Sequence, residues 1–180
     1  MISLVPDCKV FVSELQIQNT QHHLDRLIKN VPWTYPTFFG KTVKRGVCSM
    51  GKDYAYSGQV TKAVEWDKQI HALMLRINEL YGTNFNACLL NYYPDSTVSI
   101  SKHSDNEKEL VNPVIVVSVS LGAERIFRLH SKKGLKSVDI PLKDGTVLVM
   151  GEKCQSLWMH EIPKGCGNLP RISLTFRQFV

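Results

Sequence analysis

The chain predicts an α+β, mainly β domain: a jelly roll, or double-stranded β-helix, of two four-stranded sheets with supporting helices on its N-terminal side. Three observations carry this. From residue 86 onward apolar and polar side chains alternate over eight short segments, the period of a strand with one buried face. Turn residues separate those segments at regular intervals, as in a sandwich or barrel. Two stretches within the first 85 residues show helical spacing instead.

Residues 20–30 place Leu24, Leu27 and Ile28 on one helical face, and Pro32 ends the pattern. Residues 63–81 repeat it with Ile70, Leu73, Ile77 and Leu80, and Gly82 suits a left-handed cap. Both helices read as supports for a sheet. Between them, residues 33–58 interleave aromatic and glycine residues with Lys and Arg, in Phe38-Phe39-Gly40-Lys41, Lys44-Arg45-Gly46 and Tyr54-Ala55-Tyr56-Ser57-Gly58. That mixture suits phosphate contact and base stacking. It equally suits two core strands with solvated lysines. Strands follow at 86–93, 98–101, 114–120, 125–130, 136–140, 146–151, 156–162 and 171–179. Turns lie at Pro94-Asp95, Leu121-Gly122, Lys133-Gly134, Lys143-Asp144-Gly145 and Lys164-Gly165. With no linker or repeat, residues 1–180 form one domain.

The 180 residues allow one sizeable core. The net charge of +6 is spread along the chain, which permits a polyanionic partner without requiring one. Cys8, Cys48, Cys88, Cys154 and Cys166 are odd in number, scattered and free of any Cys-x-x-Cys. They argue against a disulfide scaffold or a zinc knuckle, and for reduced thiols in an intracellular setting. The first residues lack the basic and apolar regions of a signal peptide, and no apolar run nears the roughly 20 residues of a membrane span. The expected setting is intracellular: the nucleus for a eukaryotic source, otherwise the cytoplasm.

Three patterns carry chemistry. His103-Ser104-Asp105 sets an imidazole and a carboxylate two residues apart, two thirds of the facial triad of non-haem Fe(II) oxygenases. Alone, the pair is also an ordinary polar turn. His160, on a later strand, could complete the triad across a jelly roll, or be a hydrogen-bonded core histidine. In Arg171-Ile172-Ser173-Leu174-Thr175-Phe176-Arg177, alternation puts two guanidinium groups on one face and apolar residues on the other. Facing inward, the arginines would call for an anionic ligand; facing outward, they would need none. Asn91 and Tyr93 share a face and offer an amide and a phenol to a carboxylate.

Taken together, Asn-x-Tyr, His-x-Asp, a distant His and Arg-x-Ser-x-Thr-x-Arg resemble the AlkB-like Fe(II)/2-oxoglutarate-dependent dioxygenases in order and spacing. The resemblance is closest to the duplex-DNA-acting homologues and covers about residues 33–180. It implies that His103, Asp105 and His160 bind Fe(II). It implies that Arg171 pairs with the distal carboxylate of 2-oxoglutarate, that Arg177 supports the same region, and that Asn91 and Tyr93 hold the other end. Ser173 stands where the family commonly has Asn, so its contact with 2-oxoglutarate would be shorter in reach. The implied catalytic set is His103, Asp105, His160 and Arg171, using O2 and 2-oxoglutarate. The implied activity is oxidative demethylation of N1-methyladenine and N3-methylcytosine in DNA, releasing formaldehyde, succinate and CO2.

The same resemblance divides the domain into a nucleotide-recognition lid with its supporting helix, at about 33–85, and a catalytic jelly-roll core at 86–180. Tyr54, Tyr56 and Ser57 would form the base lid, with Tyr56 stacking on a flipped base against His103. Glu107 would accept from the exocyclic amino group. Phe38, Phe39 and Gly40 resemble a short hydrophobic finger, with Phe39 filling the gap left by the base. Arg45 would hold the opposite strand or a phosphate, and Lys132, Lys133 and Lys136 would lie along the duplex. The duplex-acting homologues can carry a basic run before the last motif, whereas residues 164–170 here hold one cation. The expected partner is alkylated duplex DNA, the expected state a monomer, and no membrane is involved. RNA demethylation, a non-catalytic jelly-roll binding module and a peptidyl or small-molecule hydroxylase stand as alternatives.

Overall fold

Alternation builds two facing sheets, and the helices cover one of them. The structure is a computed structural model that describes residues 3–180 except Pro6, Glu14, Phe39, Ser57 and Leu135; for Phe38 and Tyr56 it describes the backbone alone. In chain order the elements are β1 (Val10–Val12), α1 (Thr20–Asn30), β2 (Thr37–Phe38), β3 (Lys41–Thr42), β4 (Gly46–Met50), β5 (Tyr54–Tyr56), β6 (Gln59–Thr61), β7 (Ala63–Val64) and α2 (Lys68–Tyr81). They continue with β8 (Ala87–Tyr93), β9 (Ile100–His103), β10 (Val116–Gly122), β11 (Arg125–Ser131), β12 (Ser137–Leu142), β13 (Val147–Met150), α3 (Cys154–Leu157), β14 (Trp158–Ile162) and β15 (Arg171–Arg177).

The larger sheet runs β1-β13-β10-β15-β8-β4-β7 and the smaller β12-β11-β14-β9. All eight expected strands form, and they divide four and four. The larger sheet is not four-stranded, however. It gains β4 and β7 beyond β8, and β1 on the far edge, because each offers backbone donors and acceptors to an otherwise open edge. Two small hairpins, β2–β3 and β5–β6, stand apart from both sheets.

Two apolar layers follow from the alternation. Ile172, Leu174 and Phe176 of β15 pack with Leu24 and Leu27 of α1 and with Ile70, Met74 and Ile77 of α2. Val116, Phe127, Leu129, Leu142, Leu148 and Ile162 pack between the sheets. Helix α2 starts at Lys68, five residues later than the periodicity suggests. Residues 63–64 pair in parallel with β4 instead, and Asp67 caps the helix by accepting from the Gln69 and Ile70 N–H groups. Its buried face is Ile70, Met74 and Ile77, while Leu80 is exposed. At 100° per residue Leu80 falls about 80° off the line through Ile70. Gly82 closes the helix at φ 62° in the left-handed region, as the sequence suggests. Among the described residues no helix is long and apolar enough to cross a membrane.

Asp67 also receives both terminal nitrogens of Arg26, tying α1 to α2. Burial pushes its carboxyl up, but Arg26 and the two cap donors outweigh burial and hold it below the usual carboxylate range. Asp67→Ala is expected to cost about 1–2 kcal/mol of stability at neutral pH, read as a lower urea midpoint. The contribution is complete above the unfolded-state pKa and is lost as pH falls through the lowered native value. The gap between variant and wild type should therefore close under acid; a gap that persists there would rule out the carboxylate as its source.

Candidate active site

Strands β9 and β14 lie side by side, with His103 directly opposite His160. Their rings sit 4.3 Å apart, and His160 stacks on Phe127 at 5.0 Å. Beyond His103 the chain leaves the sheet and turns Asp105 back toward both imidazoles. One ligand atom from each of His103, Asp105 and His160 lies within 4.8 Å of the others, and His103 Nε2 is 4.0 Å from Asp105 Oδ1. The Ser101 carbonyl, 2.8 Å from His103 Nδ1, accepts the proton there. That tautomer leaves the lone pair on Nε2.

Asp105 is 1% exposed, and its Oδ1 accepts from Arg177 Nη2 at 2.9 Å. Its Oδ2 and the Nδ1 of His160 are buried without a hydrogen-bond partner, a costly state for both. Burial pushes the Asp105 carboxyl up, but Arg177 and then the two histidines hold it at about 2. Burial pushes the His160 imidazole down to about 3. A carboxylate and a neutral imidazole are the protonation states that metal coordination requires. The donor set and its unpartnered atoms therefore fit a divalent metal such as Fe(II).

The opposite wall is β15. Arg171, Ser173, Thr175 and Arg177 all line the cavity between the sheets, while the intervening apolar residues face the helices. Strand pairing sets Arg171 beside Tyr93 and Ser173 beside Asn91. Arg171 is 1% exposed; its Nη2 donates to Ser120 Oγ at 2.8 Å, and its guanidinium lies 5.3 Å from the Tyr93 ring centre. Its Nε and Nη1 have no hydrogen-bond partner, and among the described residues no carboxylate pairs with it. Burial pushes the group down to about 10, so it remains a cation at neutral pH. An incoming carboxylate would satisfy one of these nitrogens and neutralise the buried cation. Among the described residues the cavity wall holds three guanidinium groups, Arg45, Arg171 and Arg177, against one carboxylate, Asp105. This excess suits a dicarboxylate such as 2-oxoglutarate.

Two sequence expectations change. Arg177 lies on the metal side, paired with Asp105 and stacked 5.3 Å from the Tyr54 ring centre, and not beside Arg171. The seven-residue strand separates the two arginines by its length. Arg45 is 7% exposed and donates to Asn91 Oδ1 inside the cavity. It does not lie on the outer surface where a second strand or phosphate would run, because β4 joins the sheet beside β8 and takes Arg45 with it.

The remaining lid residues divide. Tyr54 is buried in the cavity wall, with Glu107 hydrogen-bonded to it. Gly40, at φ 74°, follows β2 and precedes β3, which pair as a hairpin. The Gln59 side chain of β6 donates to the Thr37 carbonyl and links this hairpin to β5–β6. Phe39 and Ser57, and the side chains of Phe38 and Tyr56, lie outside the described residues. Sequence reasoning missed Ser120, the partner of Arg171. The alternation in Ser118-Val119-Ser120 was its available signal.

Comparison with known proteins agrees with this geometry. Residues 7–177 match the family model described as the 2OG-Fe(II) oxygenase superfamily. The chain is 33% identical over 171 residues to human "Alpha-ketoglutarate-dependent dioxygenase alkB homolog 3", covering 86% of this chain and 59% of that protein. It is 30% identical over 200 residues to Arabidopsis thaliana "DNA oxidative demethylase ALKBH2", covering 91% and 63%. The chain thus spans about three fifths of the length of these curated relatives. The solved structure of OsALKBH1 superposes with a TM-score of 0.64 at 19% identity, over 94% of this chain and 97% of that one, which shows a shared fold. The chain belongs to the 2OG-Fe(II) oxygenase superfamily, as an AlkB-like member whose cofactor is Fe(II) and whose co-substrates are 2-oxoglutarate and O2.

Proposed function

We propose that this protein removes methyl groups from N1-methyladenine and N3-methylcytosine in DNA by oxidation. One observation carries the reading: a His-Asp-His cluster and a buried guanidinium, Arg171, that no carboxylate pairs with among the described residues face one cavity. The names of the human and Arabidopsis relatives, a dioxygenase and a DNA demethylase, support it.

In this reading His103, Asp105 and His160 hold the iron. When bound, it couples oxidation of the N-methyl group by O2 to decarboxylation of 2-oxoglutarate. The methyl carbon leaves as formaldehyde, and 2-oxoglutarate becomes succinate and CO2. Arg171 receives the distal carboxylate through a nitrogen that lacks a partner, with Ser120 fixing the Nη2 end. Asn91 and Tyr93, in register beside Ser173 and Arg171, orient the rest of the co-substrate. Arg177 keeps Asp105 ionised. Tyr56 stacks on the flipped base across from His103, Tyr54 and Ser57 complete the lid, and Glu107 accepts from the exocyclic amino group. Methylation at these ring nitrogens makes the base cationic, so an aromatic slot favours it over an unmodified base by about 0.5–2 kcal/mol. Phe39 fills the vacated stack, supported by Phe38 and the Gly40 turn. The protein acts as a monomer, in the nucleus if its source is eukaryotic. One observation favours single strands or RNA instead: the single cation in residues 164–170 offers little hold on a complementary strand.

The direct test supplies Fe(II), ascorbate and 2-oxoglutarate with matched methylated oligonucleotides as single strand, duplex and RNA. Formaldehyde release from DNA is expected, and silence on all three would sink the demethylase reading. His103→Ala should abolish release. Arg171→Ala should raise the 2-oxoglutarate KM roughly tenfold or more, given that a hydrogen bond to a charged group contributes about 1.5–3 kcal/mol; an unchanged KM would remove Arg171 from the co-substrate site. Phe39→Ala should impair duplex more than single-strand turnover, and equal losses on both would reject the finger.

A further inference from the structure

Asp105 stands two residues past the end of β9, where the strand ladder no longer supplies partners. Its N–H donates to Gln155 Oε1 at 2.9 Å. Gln155 is 4% exposed and belongs to α3, the single helical turn ahead of β14. Three further bonds fix this turn and the loop. The Gln155 side-chain nitrogen lies 3.5 Å from Met150 Sδ, the Gln155 carbonyl accepts from Lys132 Nζ at 2.7 Å, and Ser104 Oγ donates to the Trp158 carbonyl at 2.9 Å.

These bonds act against a second pull. Arg177, from the larger sheet, holds Oδ1 of the same aspartate at 2.9 Å. A carboxylate attracted by Arg177 alone would be free to follow it away from His103, which lies on the smaller sheet. An anchored main chain prevents that movement. We propose that Gln155 is a positioning residue of the metal centre, holding the Asp105 main chain so that its carboxylate stays within reach of both imidazoles. The proposal rests on the reading of His103, Asp105 and His160 as metal ligands. It assigns to α3 a purpose beyond linking β13 to β14.

Mn(II) binding to the purified chain, followed by the electron paramagnetic resonance signal of the free ion, tests this without turnover. Visible absorption of the Co(II) form reports the ligand geometry independently. Gln155→Met keeps the volume and removes the acceptor; Gln155→Asn keeps the amide and shortens its reach. Both are expected to keep a folded far-UV spectrum, to bind Mn(II) about 10- to 100-fold more weakly and to alter the Co(II) bands. Gln155→Glu keeps an oxygen at the same reach and should lose less affinity than either variant on the same scale. Wild-type affinity in the Met and Asn variants overturns the proposal, as does an equal loss in all three. If the Met variant does not fold, the Asn variant decides by the same measure. Absence of Mn(II) binding by the wild type, or binding unchanged by His160→Ala, overturns the ligand reading and the proposal with it.

Discussion

The ion pair between Arg177 and Asp105 joins the two sheets at the point where the chemistry is placed. Arg177 comes from the last strand of the larger sheet, and Asp105 from the loop that leaves the smaller one. Both are buried, so each needs the other. An isolated carboxylate at that depth would take up a proton and lose its value as a ligand. With Arg177 on one oxygen, the group stays ionised and keeps its second oxygen without a partner. The same bond fixes the spacing between the metal cluster and the co-substrate wall, because both arginines lie on one rigid strand.

The charge pattern of the cavity follows from that strand. Alternation places Arg171 and Arg177 on the inner face, and β4 brings Arg45 to the same space. Among the described residues Asp105 in the wall and Glu107 beside it oppose them, so the unliganded cavity carries excess positive charge. A divalent metal on its own would add to it; a dicarboxylate offsets it. Binding of the two together is therefore electrostatically more favourable than binding of the metal by itself. Ser120 and Tyr93 orient Arg171, and no carboxylate among the described residues neutralises it. The site is thus prepared for a carboxylate before one arrives, which lowers the ordering cost of binding.

Above this floor the two small hairpins form the rim. Tyr54 continues into the cavity wall, under Arg177, so the β5–β6 hairpin and the segment after β9 share a contact through Glu107. The Gln59 bond to the Thr37 carbonyl joins one hairpin to the other.

The sequence by itself determined the eight core strands, both long helices and the inward face of β15, because each depends on a local period of apolar residues. It also singled out His103, Asp105 and His160, which the structure brings together, because their types and order form a motif. Tertiary structure decided what period cannot encode. The growth of the larger sheet to seven strands depends on edges that only the folded sheet exposes. Arg45 is as basic and as near to aromatics as a surface contact would be, and only the pairing of β4 with β8 turns it inward. Arg177 shares a strand face with Arg171, yet distance along that strand assigns it to Asp105. Gln155 lies 50 residues from Asp105 in the chain, and no local pattern links them. Short-range periodicity fixes which face a side chain takes, whereas its partner is set by which strands meet.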